Sequence, residues 1–402
     1  MIRNCLYDKL ISFSNLLLAS KKALRGKKYK QNISKFLFNL ENELLQLHKE
    51  LKNKTYTPRP YYYFTLKDIK TRTISAADFR DRVVHHAILN VIEDIFEKSF
   101  ISESYACRKN KGIHKAIKKA QKYINKYQYF MKCDIEKYFD NIDHNVLMDI
   151  IKEKITDEDI LWLCQVILDN AKLPVSNQFT LTLPLPSRER NKIGIPIGNL
   201  TSQFFANVYL DVLDHFIKSF HSFAKSNFTI CPSLDSSASK FPSLDRCKPT
   251  LFPFLDASSP QSFPSLDGRG VGEGVAYIRY MDDFLIFADN KEDLHIYLAQ
   301  INKFLSQKLK LKIKEHEIMI APVSEGVNFL GFRIYKRMIK VKSKNLHRTV
   351  RNFHTKLKEC QQDKIDLKAL ESTTQSIIGH LKNANTLQLR KKIFNDIITI
   401  KG

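Results

Sequence analysis

The segment AYIRYMDDFLIFADN, residues 276–290, places two adjacent acids, Asp282 and Asp283, between two apolar runs. Each run has the length and composition of a buried β-strand, so the segment predicts a hairpin with the acids at its tip. Neighbouring carboxylates repel each other and lose hydration when they are buried, so such a pair needs a compensating partner. A divalent cation such as Mg²⁺ is a suitable partner, because it prefers carboxylate oxygens and keeps positions open for substrate phosphates.

A third acid is needed for the chemistry that such a site performs. Two divalent ions held close together can stabilise both the attacking and the leaving oxygen in nucleotidyl transfer. Asp134 qualifies, because it follows the apolar run YQYFMKC of residues 127–133 and precedes a sharp turn. Asp140 and Asp143 follow closely and are predicted to be a turn residue and a helix cap. Asp134 and the two hairpin acids are therefore the predicted catalytic and metal-binding set.

The overall charge indicates a polyanionic partner. The 402 residues contain 65 Lys and Arg against 42 Asp and Glu, a net charge of +23. Nucleic acid is the commonest partner of so basic a chain, and a merely cationic soluble protein is the alternative. The seven cysteines form no C-x-x-C pair. The sequence has neither a signal-peptide pattern nor an apolar run of membrane-spanning length, so we expect a cytoplasmic protein without a membrane partner.

The segment between residues 226 and 274 differs from the rest of the chain in composition. It is rich in Ser, Pro and Asp, and it repeats PSLD at residues 232–235, 242–245 and 264–267. This spacing has neither a helical nor a strand period, and so short a unit cannot form a packed repeat. We expect a disordered surface insertion, with a binding role as the alternative. The run LPLPSRER at residues 183–190 has a similar composition.

The remaining motifs occur in an order that resembles one polymerase family. FMKCDIEKYFDNIDH is followed by GIPIGNLTSQFFANVYLDVLDHF, YIRYMDDFLIFAD and VNFLGF, with TRTISAADFRDRVVHHAI and ESYACRKNKGIHKAI upstream. In kind and in order these segments resemble the reverse transcriptases of bacterial retroelements. Several ordered motifs together are far more specific than YMDD alone, for which a chance turn between two strands is the alternative.

The resemblance implies an α+β fold with the right-hand architecture of a polymerase. It predicts an N-terminal helical segment over residues 1–54 and fingers over 55–128. A palm, with an antiparallel sheet backed by helices, would follow over 129–335, and a basic helical thumb over 336–402. It also implies an RNA-directed DNA polymerase that copies template RNA into cDNA from a primer and dNTPs, with a pair of Mg²⁺ ions, or Mn²⁺, as cofactor. The alternative from another class is a decayed, non-catalytic RNA-binding homologue.

The resemblance also assigns roles to single residues. Phe139 occupies the position at which the family places an aromatic ring beneath the incoming sugar, where the ring would favour deoxynucleotides. An ordinary core phenylalanine is the alternative. Arg72 resembles the fingers arginine that contacts the triphosphate, and Lys67 is a further candidate, although both could belong to a solvated basic face.

The loop IGNLTSQ, residues 197–203, resembles one subgroup of the family. Many reverse transcriptases have Gln-Gly where this chain has Ile197 and Gly198, and the pattern through Gln203 is similar to that of diversity-generating retroelements. Those enzymes copy RNA with frequent errors at adenines and work with a small basic accessory protein. The resemblance implies that Ile197, Gly198 and Gln203 contact the nucleotide in an error-prone enzyme. A group II intron or retron reverse transcriptase is the alternative.

One position departs from the family pattern. The segment KIKEHEIMI, residues 312–320, has Glu317 where the family has a lysine that could protonate the pyrophosphate. We expect either that His316 or Lys314 substitutes as the general acid or that activity is reduced.

Overall fold

The computed structural model describes residues 5–26, 31–67, 71–170, 193–227 and 276–398. By its internal contacts the chain divides into one compact unit of residues 1–217 and 276–402 and a second unit of residues 218–275. The PSLD repeats and the run at 183–190 lie outside the described residues, so the insertion stays a prediction. The architecture is α+β, with antiparallel sheets and packed helices, as the sequence predicts.

The first part of the chain is helical and leads into a hairpin. Four helices form here: α1 (Cys5–Ile11), α2 (Phe13–Leu24), α3 (Gln31–Phe38) and α4 (Leu40–Lys52). Strands β1 (Tyr62–Lys67) and β2 (Thr71–Ala76) then form a two-stranded antiparallel sheet, followed by helices α5 (Phe79–Glu97) and α6 (Ile113–Lys126). Asp78 caps α5 by accepting a hydrogen bond from the backbone N–H of Arg80 at 3.0 Å.

A four-stranded antiparallel sheet forms the centre of the structure, in the strand order β4-β5-β3-β6. Its strands are β3 (Tyr129–Cys133), β4 (Ala276–Tyr280), β5 (Asp283–Ala288) and β6 (Met319–Pro322). The helices that accompany it are α7 (His144–Lys152), α8 (Glu158–Asp169), α9 (Leu200–Asn227) and α10 (Lys291–Lys308). The sheet packs against the apolar face of α6, and this cluster includes the buried side chains of Ile117, Ile124, Ile278, Leu285 and Phe287.

The last part of the chain adds a small sheet and three helices. Strands β7 (Val327–Phe329), β8 (Phe332–Ile334) and β9 (Ile339–Val341) form a three-stranded antiparallel meander, and helices α11 (Ser343–Gln361), α12 (Leu367–Leu381) and α13 (Leu387–Ile398) follow. Phe353, Leu370, Leu381 and Ile393 form the core between these helices. Within the described ranges, no helix is both long enough and apolar enough to cross a bilayer. The predicted boundaries at residues 54, 128 and 335 stay predictions.

A buried ion pair joins the YMDD hairpin to helix α9. Arg279 on β4 and Asp214 on α9 are both fully buried. The guanidinium donates from Nε to Oδ1 at 2.7 Å and from Nη2 to Oδ2 at 2.6 Å, and the Tyr277 hydroxyl also donates to Asp214 Oδ1 at 2.7 Å. Such a forked pair satisfies both groups in a site without water, where either charge alone would be very costly.

The remaining N–H groups of Arg279 contact the turn and the segment between α5 and α6. Nη1 donates to the backbone carbonyl of Met281 at 3.1 Å and to Asn207 Oδ1 at 3.3 Å, and Nη2 donates to Ser104 Oγ at 3.2 Å. Met281 has φ of 57°, a left-handed conformation that is unfavourable for a residue with a side chain. The hydrogen bond from Arg279 therefore supports the strained residue that precedes Asp282.

We predict that Arg279→Met lowers the free energy of unfolding by about 3–5 kcal/mol, because it leaves the Asp214 carboxylate buried without its cation. The triple variant R279M/D214L/Y277F should recover most of that loss, since buried pairs replaced by apolar groups are often neutral in stability. Urea unfolding followed by circular dichroism measures the free energy of unfolding of both variants.

Arg108→Met is the matched control, because the partner of Arg108, Glu97, keeps a side-chain exposure of 28% and can be rehydrated. A loss for Arg279→Met no larger than that of Arg108→Met would contradict the prediction.

Candidate active site

The structure brings the three predicted acids to one end of the central sheet. Asp283 is the first residue of β5, Asp282 lies in the two-residue turn before it, and Asp134 directly follows β3. Strands β3 and β5 are neighbours, and their register pairs Cys133 with Phe284. The end of β3 therefore lies beside the YMDD turn, and residues 148 positions apart in the sequence meet in the fold.

Burial and mutual repulsion raise the pKa values of these acids. Asp134 has its pKa raised from 3.8 to about 7, first by burial and then by the charge of Asp282, with Glu317 and Asp283 adding to the effect. Asp283 has its pKa raised from 3.8 to about 6, chiefly by burial, although Lys132 opposes the rise. The cluster therefore holds more negative charge than its surroundings compensate, which is an arrangement typical of cation sites and active sites.

Two lysines form ion pairs with acids of the cluster. Lys132 on β3 forms an ion pair with Asp283 Oδ2 at 3.1 Å. Lys314 forms an ion pair with Glu317, and Glu317 in turn hydrogen-bonds to Asp134. Glu317 reaches this position because residues 312–314 run beside the segment after β3, where the Lys314 N–H donates to the Asp134 carbonyl at 2.9 Å.

The carboxylates fit a divalent metal in their chemistry. Oδ1 of Asp283 is buried and has no hydrogen-bond partner, which is the state of an oxygen that lacks a ligand cation. Among the described residues, no group of three or more His, Cys, Asp or Glu side chains is arranged so that it could hold a metal ion. A hard cation would relieve both the repulsion and the unpartnered oxygen.

A cavity of about 380 Å³ opens beside Asp283 and is lined by basic residues. Arg72 of β2 and Lys132 line it together with Lys342, which precedes α11, and with the turn between β7 and β8. Arg72 therefore lines the same cavity as Asp283, and its contact with a triphosphate stays a prediction. Lys67 pairs with Thr71 in the backbone register of the β1–β2 hairpin, and its side chain lies outside the described residues.

The glycine loop packs against β2. The carbonyl of Ile197 accepts a hydrogen bond from the Ser75 N–H at 2.8 Å, and Asn199 Nδ2 donates to the Ser75 carbonyl at 3.0 Å. Gly198 has φ of 119°, and a Cβ atom there would lie 2.6 Å from Cγ2 of Ile74. Only glycine fits this close approach, so the loop and the strand that carries Arg72 are held as one unit.

Phe139 and Gln203 lie in different surroundings. Phe139 is half-buried in a 3₁₀ turn, and its carbonyl accepts a hydrogen bond from the Ile195 N–H at 2.8 Å, so it lies next to the glycine loop. Gln203 accepts a hydrogen bond from the Cys107 thiol at 3.4 Å. Gln203 therefore contacts the segment between α5 and α6.

The two candidate general acids also differ. Lys314 is held beside Asp134 through Glu317, and the hydrogen bond to Glu317 raises the pKa of Lys314 above 10.5. His316 is exposed and lines a separate cavity of about 390 Å³ with Glu136 and Lys312, although Lys314 also borders it. Of the two, Lys314 lies closer to the acids.

Sequence reasoning missed four residues that shape this site: Arg279, Asp214, Lys132 and Asn199. Each had a signal in the sequence. Arg279 and Asp214 are charged residues inside otherwise apolar strand and helix patterns, which predicts a buried partner for each. Lys132 lies two residues before Asp134, on the same face of a strand. Asn199 directly precedes α9, at a position typical of capping residues.

Comparison with known proteins identifies the family. Residues 66–334 match the family described as reverse transcriptase (RNA-dependent DNA polymerase). The group II intron-encoded protein LtrA of Lactococcus lactis subsp. cremoris is 27% identical over 77% of this chain and 54% of its own length. The putative COX1/OXI3 intron 2 protein of Saccharomyces cerevisiae is 27% identical over 65% of this chain and 30% of its own length. Protein YkfC of Escherichia coli is 24% identical over 73% of this chain and 72% of its own.

The chain spans 54% of the length of the first of these relatives and 30% of the length of the second. Among solved structures, apo telomerase from Candida Tropicalis has a TM-score of 0.45 and 11% identity over 71% of this chain and 49% of that chain, too remote a likeness to add to the family assignment. The match over residues 66–334 covers both the YMDD hairpin and Asp134, and the chain belongs to the reverse transcriptase (RNA-dependent DNA polymerase) family.

Proposed function

We propose that this protein is an RNA-directed DNA polymerase that extends a primer along an RNA template by adding dNTPs. The observation that carries the proposal is that Asp134, Asp282 and Asp283 meet at one end of the central sheet, where Asp283 lines a cavity that also contains three cationic side chains. Acids that repel each other, next to cations that can bind phosphate, are the arrangement that nucleotidyl transfer needs.

Asp134, Asp282 and Asp283 would hold Mg²⁺ ions, which supply charge neutralisation at the reacting phosphate and activation of the primer hydroxyl. Mn²⁺ would fit the same oxygens.

Arg72, together with Lys132 and Lys342 in the same cavity, would bind the negative charge of the triphosphate. Phe139, beside the glycine loop, would lie under the sugar and exclude a 2′-hydroxyl. Lys314, held by Glu317, would donate a proton to the departing pyrophosphate.

We predict that Asp134→Asn or Asp282→Asn abolishes primer extension on an RNA template and leaves RNA affinity nearly unchanged. Each substitution removes a metal-binding oxygen but leaves the cationic surface that dominates affinity for nucleic acid. Extension assays with Mg²⁺ and filter binding measure the two properties. The exposed acid Asp149 provides the control, Asp149→Asn, which should extend normally. A wild-type rate in either active-site variant would show that the assigned acids are wrong.

The raised pKa values predict a pH dependence of stability. Asp134 titrates near pH 7 in the folded protein, against an ordinary value of 3.8, so the folded state binds protons more tightly than the unfolded state. Without metal, the free energy of unfolding should therefore fall as the pH rises from about 4 to about 7. Asp283, with its pKa raised to about 6, acts in the same direction.

Thermal melting in EDTA at a series of pH values measures this loss of stability. In the Asp134→Asn variant, stability should fall less steeply as the pH rises. Adding Mg²⁺ should raise the melting temperature more at pH 8 than at pH 5, because protonated carboxyl groups do not bind the ion. An equal effect of Mg²⁺ at both pH values would contradict the assignment of these acids as ligands.

We further propose that the enzyme is error-prone and of the diversity-generating type, acting with a small basic accessory protein. The support is the sequence Ile197-Gly198 in a loop that hydrogen-bonds to β2, the strand that carries Arg72. A group II intron reverse transcriptase is the second candidate, because the similar proteins include the group II intron-encoded protein LtrA.

We predict that Ile197→Gln lowers misincorporation opposite template adenine. The loop is fixed to the strand beside the nucleotide cavity, and a glutamine there could hydrogen-bond to the incoming nucleotide, whereas isoleucine offers only an apolar contact. Each 1.4 kcal/mol of added discrimination corresponds to about a tenfold lower error rate. Sequencing of cDNA from one adenine-rich template measures the error rate. Ile195→Gln is unsuitable as a control because Ile195 is buried, so Ile193→Gln, at an exposed position of the same segment, serves instead.

An error spectrum that Ile197→Gln leaves unchanged would remove the support for the diversity-generating subgroup. The group II intron candidate would then be favoured, without any effect on the proposed polymerase activity.

A further inference from the structure

Helix α6 carries a row of lysines on the side that faces away from the core. Its apolar side chains are buried against the central sheet: Ala116, Ile117, Ala120, Tyr123 and Ile124. Its exposed lysines, which we call the lysine stripe, follow each other at intervals of three or four residues: Lys115, Lys118, Lys122 and Lys126. At 1.5 Å per residue the stripe is about 16 Å long, and all four ammonium groups belong to one face of the helix.

Three of the four lysines of the stripe have no acidic partner among the described residues. Helix α6, IHKAIKKAQKYINK, contains no acidic residue. Across the part of the chain that the structure describes, Lys115, Lys118 and Lys122 have no carboxylate at ion-pair distance. Other lysines of the same unit do have one, namely Lys54 with Asp159 at 2.5 Å, Lys154 with Asp211 at 3.2 Å and Lys310 with Asp143 at 2.7 Å.

This arrangement opposes the stability of the helix. Like charges three or four residues apart repel each other, as in the pairs Lys115–Lys118, Lys118–Lys122 and Lys122–Lys126. Lys115 also lies in the first turn of the helix, where the positive end of the helix dipole disfavours cations. Helix stability alone therefore does not explain the stripe, and a bound polyanion would relieve every one of these repulsions.

The basic surface continues onto the turn between β8 and β9. Gln121 Nε2 donates to the Tyr335 carbonyl at 3.2 Å, and Asn125 Nδ2 donates to the Lys336 carbonyl at 3.3 Å. These bonds attach the turn to α6, so the exposed residues Lys336 and Arg337 lie beside the stripe. The combined surface carries six cations from two elements that are hydrogen-bonded to each other.

We propose that the lysine stripe, together with Lys336 and Arg337, binds the sugar–phosphate backbone of the template RNA outside the active-site cavity. The inference rests on the proposed polymerase function. The cavity beside Asp283 measures about 380 Å³, which is the size of a nucleotide-scale ligand, so the rest of an RNA template needs another surface. Lysine ammonium groups are compact point charges that bind phosphates without reading base sequence, so this surface would hold many templates equally well.

The test is the salt dependence of RNA binding in the variant K115Q/K118Q/K122Q/K126Q. Its matched control is K152Q/K291Q/K303Q/K308Q, which removes the same charge from exposed positions on α7 and α10. Affinity for a structured RNA is measured over a series of KCl concentrations. Four lost phosphate contacts should make the slope of log K against log salt shallower by about 3, with at least a tenfold loss of affinity at low salt. Because glutamine favours helices and the repulsion is gone, the melting temperature should stay the same or rise.

An unchanged slope in the stripe variant, or an equal change in the control, would overturn the proposal. Polyglutamate is a polyanion without phosphates. If the stripe variant loses as much affinity for polyglutamate as for RNA, the assignment of this surface to RNA is wrong. Primer extension by the wild-type protein on a short template is measured in parallel. If it fails while the slope changes as expected, the polymerase function is wrong and the RNA surface stands; if it succeeds while the slope is unchanged, only the surface is wrong.

Discussion

The geometry of the acid cluster depends on one buried ion pair. Arg279 and Asp214 lie in a region without solvent, where each charge is tolerable only because the other is present. Once the pair forms, the remaining guanidinium N–H groups need acceptors, and they find the Met281 carbonyl in the turn and Ser104 in the segment between α5 and α6. The hydrogen bonds of this one arginine therefore fix the YMDD turn relative to helix α9 and to the segment between α5 and α6. The two-residue hairpin turn requires the left-handed conformation of Met281, and the hydrogen bond from Arg279 to the Met281 carbonyl supports it.

Electrostatic strain in the cluster arises from burial and mutual repulsion, and lysines balance part of it. Asp134 and Asp283 would both be ionised in water at neutral pH, but their burial and proximity raise their pKa values into the range of 6 to 7. Lys132 and the Glu317–Lys314 pair partly compensate the remaining charge. This arrangement keeps a lysine close to the acids although the chain has a glutamate where the sequence analysis expects a lysine. The lysine comes from three residues earlier, and the glutamate serves as the acceptor that positions it.

The nucleotide side of the site is attached to the acid side through backbone contacts. The glycine loop joins β2 by hydrogen bonds at Ser75, and the close approach of Gly198 to Ile74 leaves no room for a side chain. Arg72 lies on the same strand and lines the same cavity as Asp283. The position of the proposed triphosphate contact is thus set by the loop that also carries Ile197. Changes at Ile197 would act on a rigid unit, which is why a single side chain there could influence nucleotide selection.

The sequence by itself determined the local elements and predicted which three acids form the site. Apolar runs predict β3, β4 and β5, and the cap at Asp143 predicts the start of α7. The adjacent acids of YMDD predict a site that needs cations. It could not determine which distant residues compensate these charges, because partners such as Asp214 for Arg279 and Lys132 for Asp283 depend on which strands and helices become neighbours. Only the tertiary structure decided that Glu317 accepts a hydrogen bond from Lys314 and that Gln203 lies near Cys107. It also decided that the lysines of α6 share a surface with the turn after β8. Periodicity and residue type are local properties of a chain, whereas the pairing of buried charges is a property of its packing.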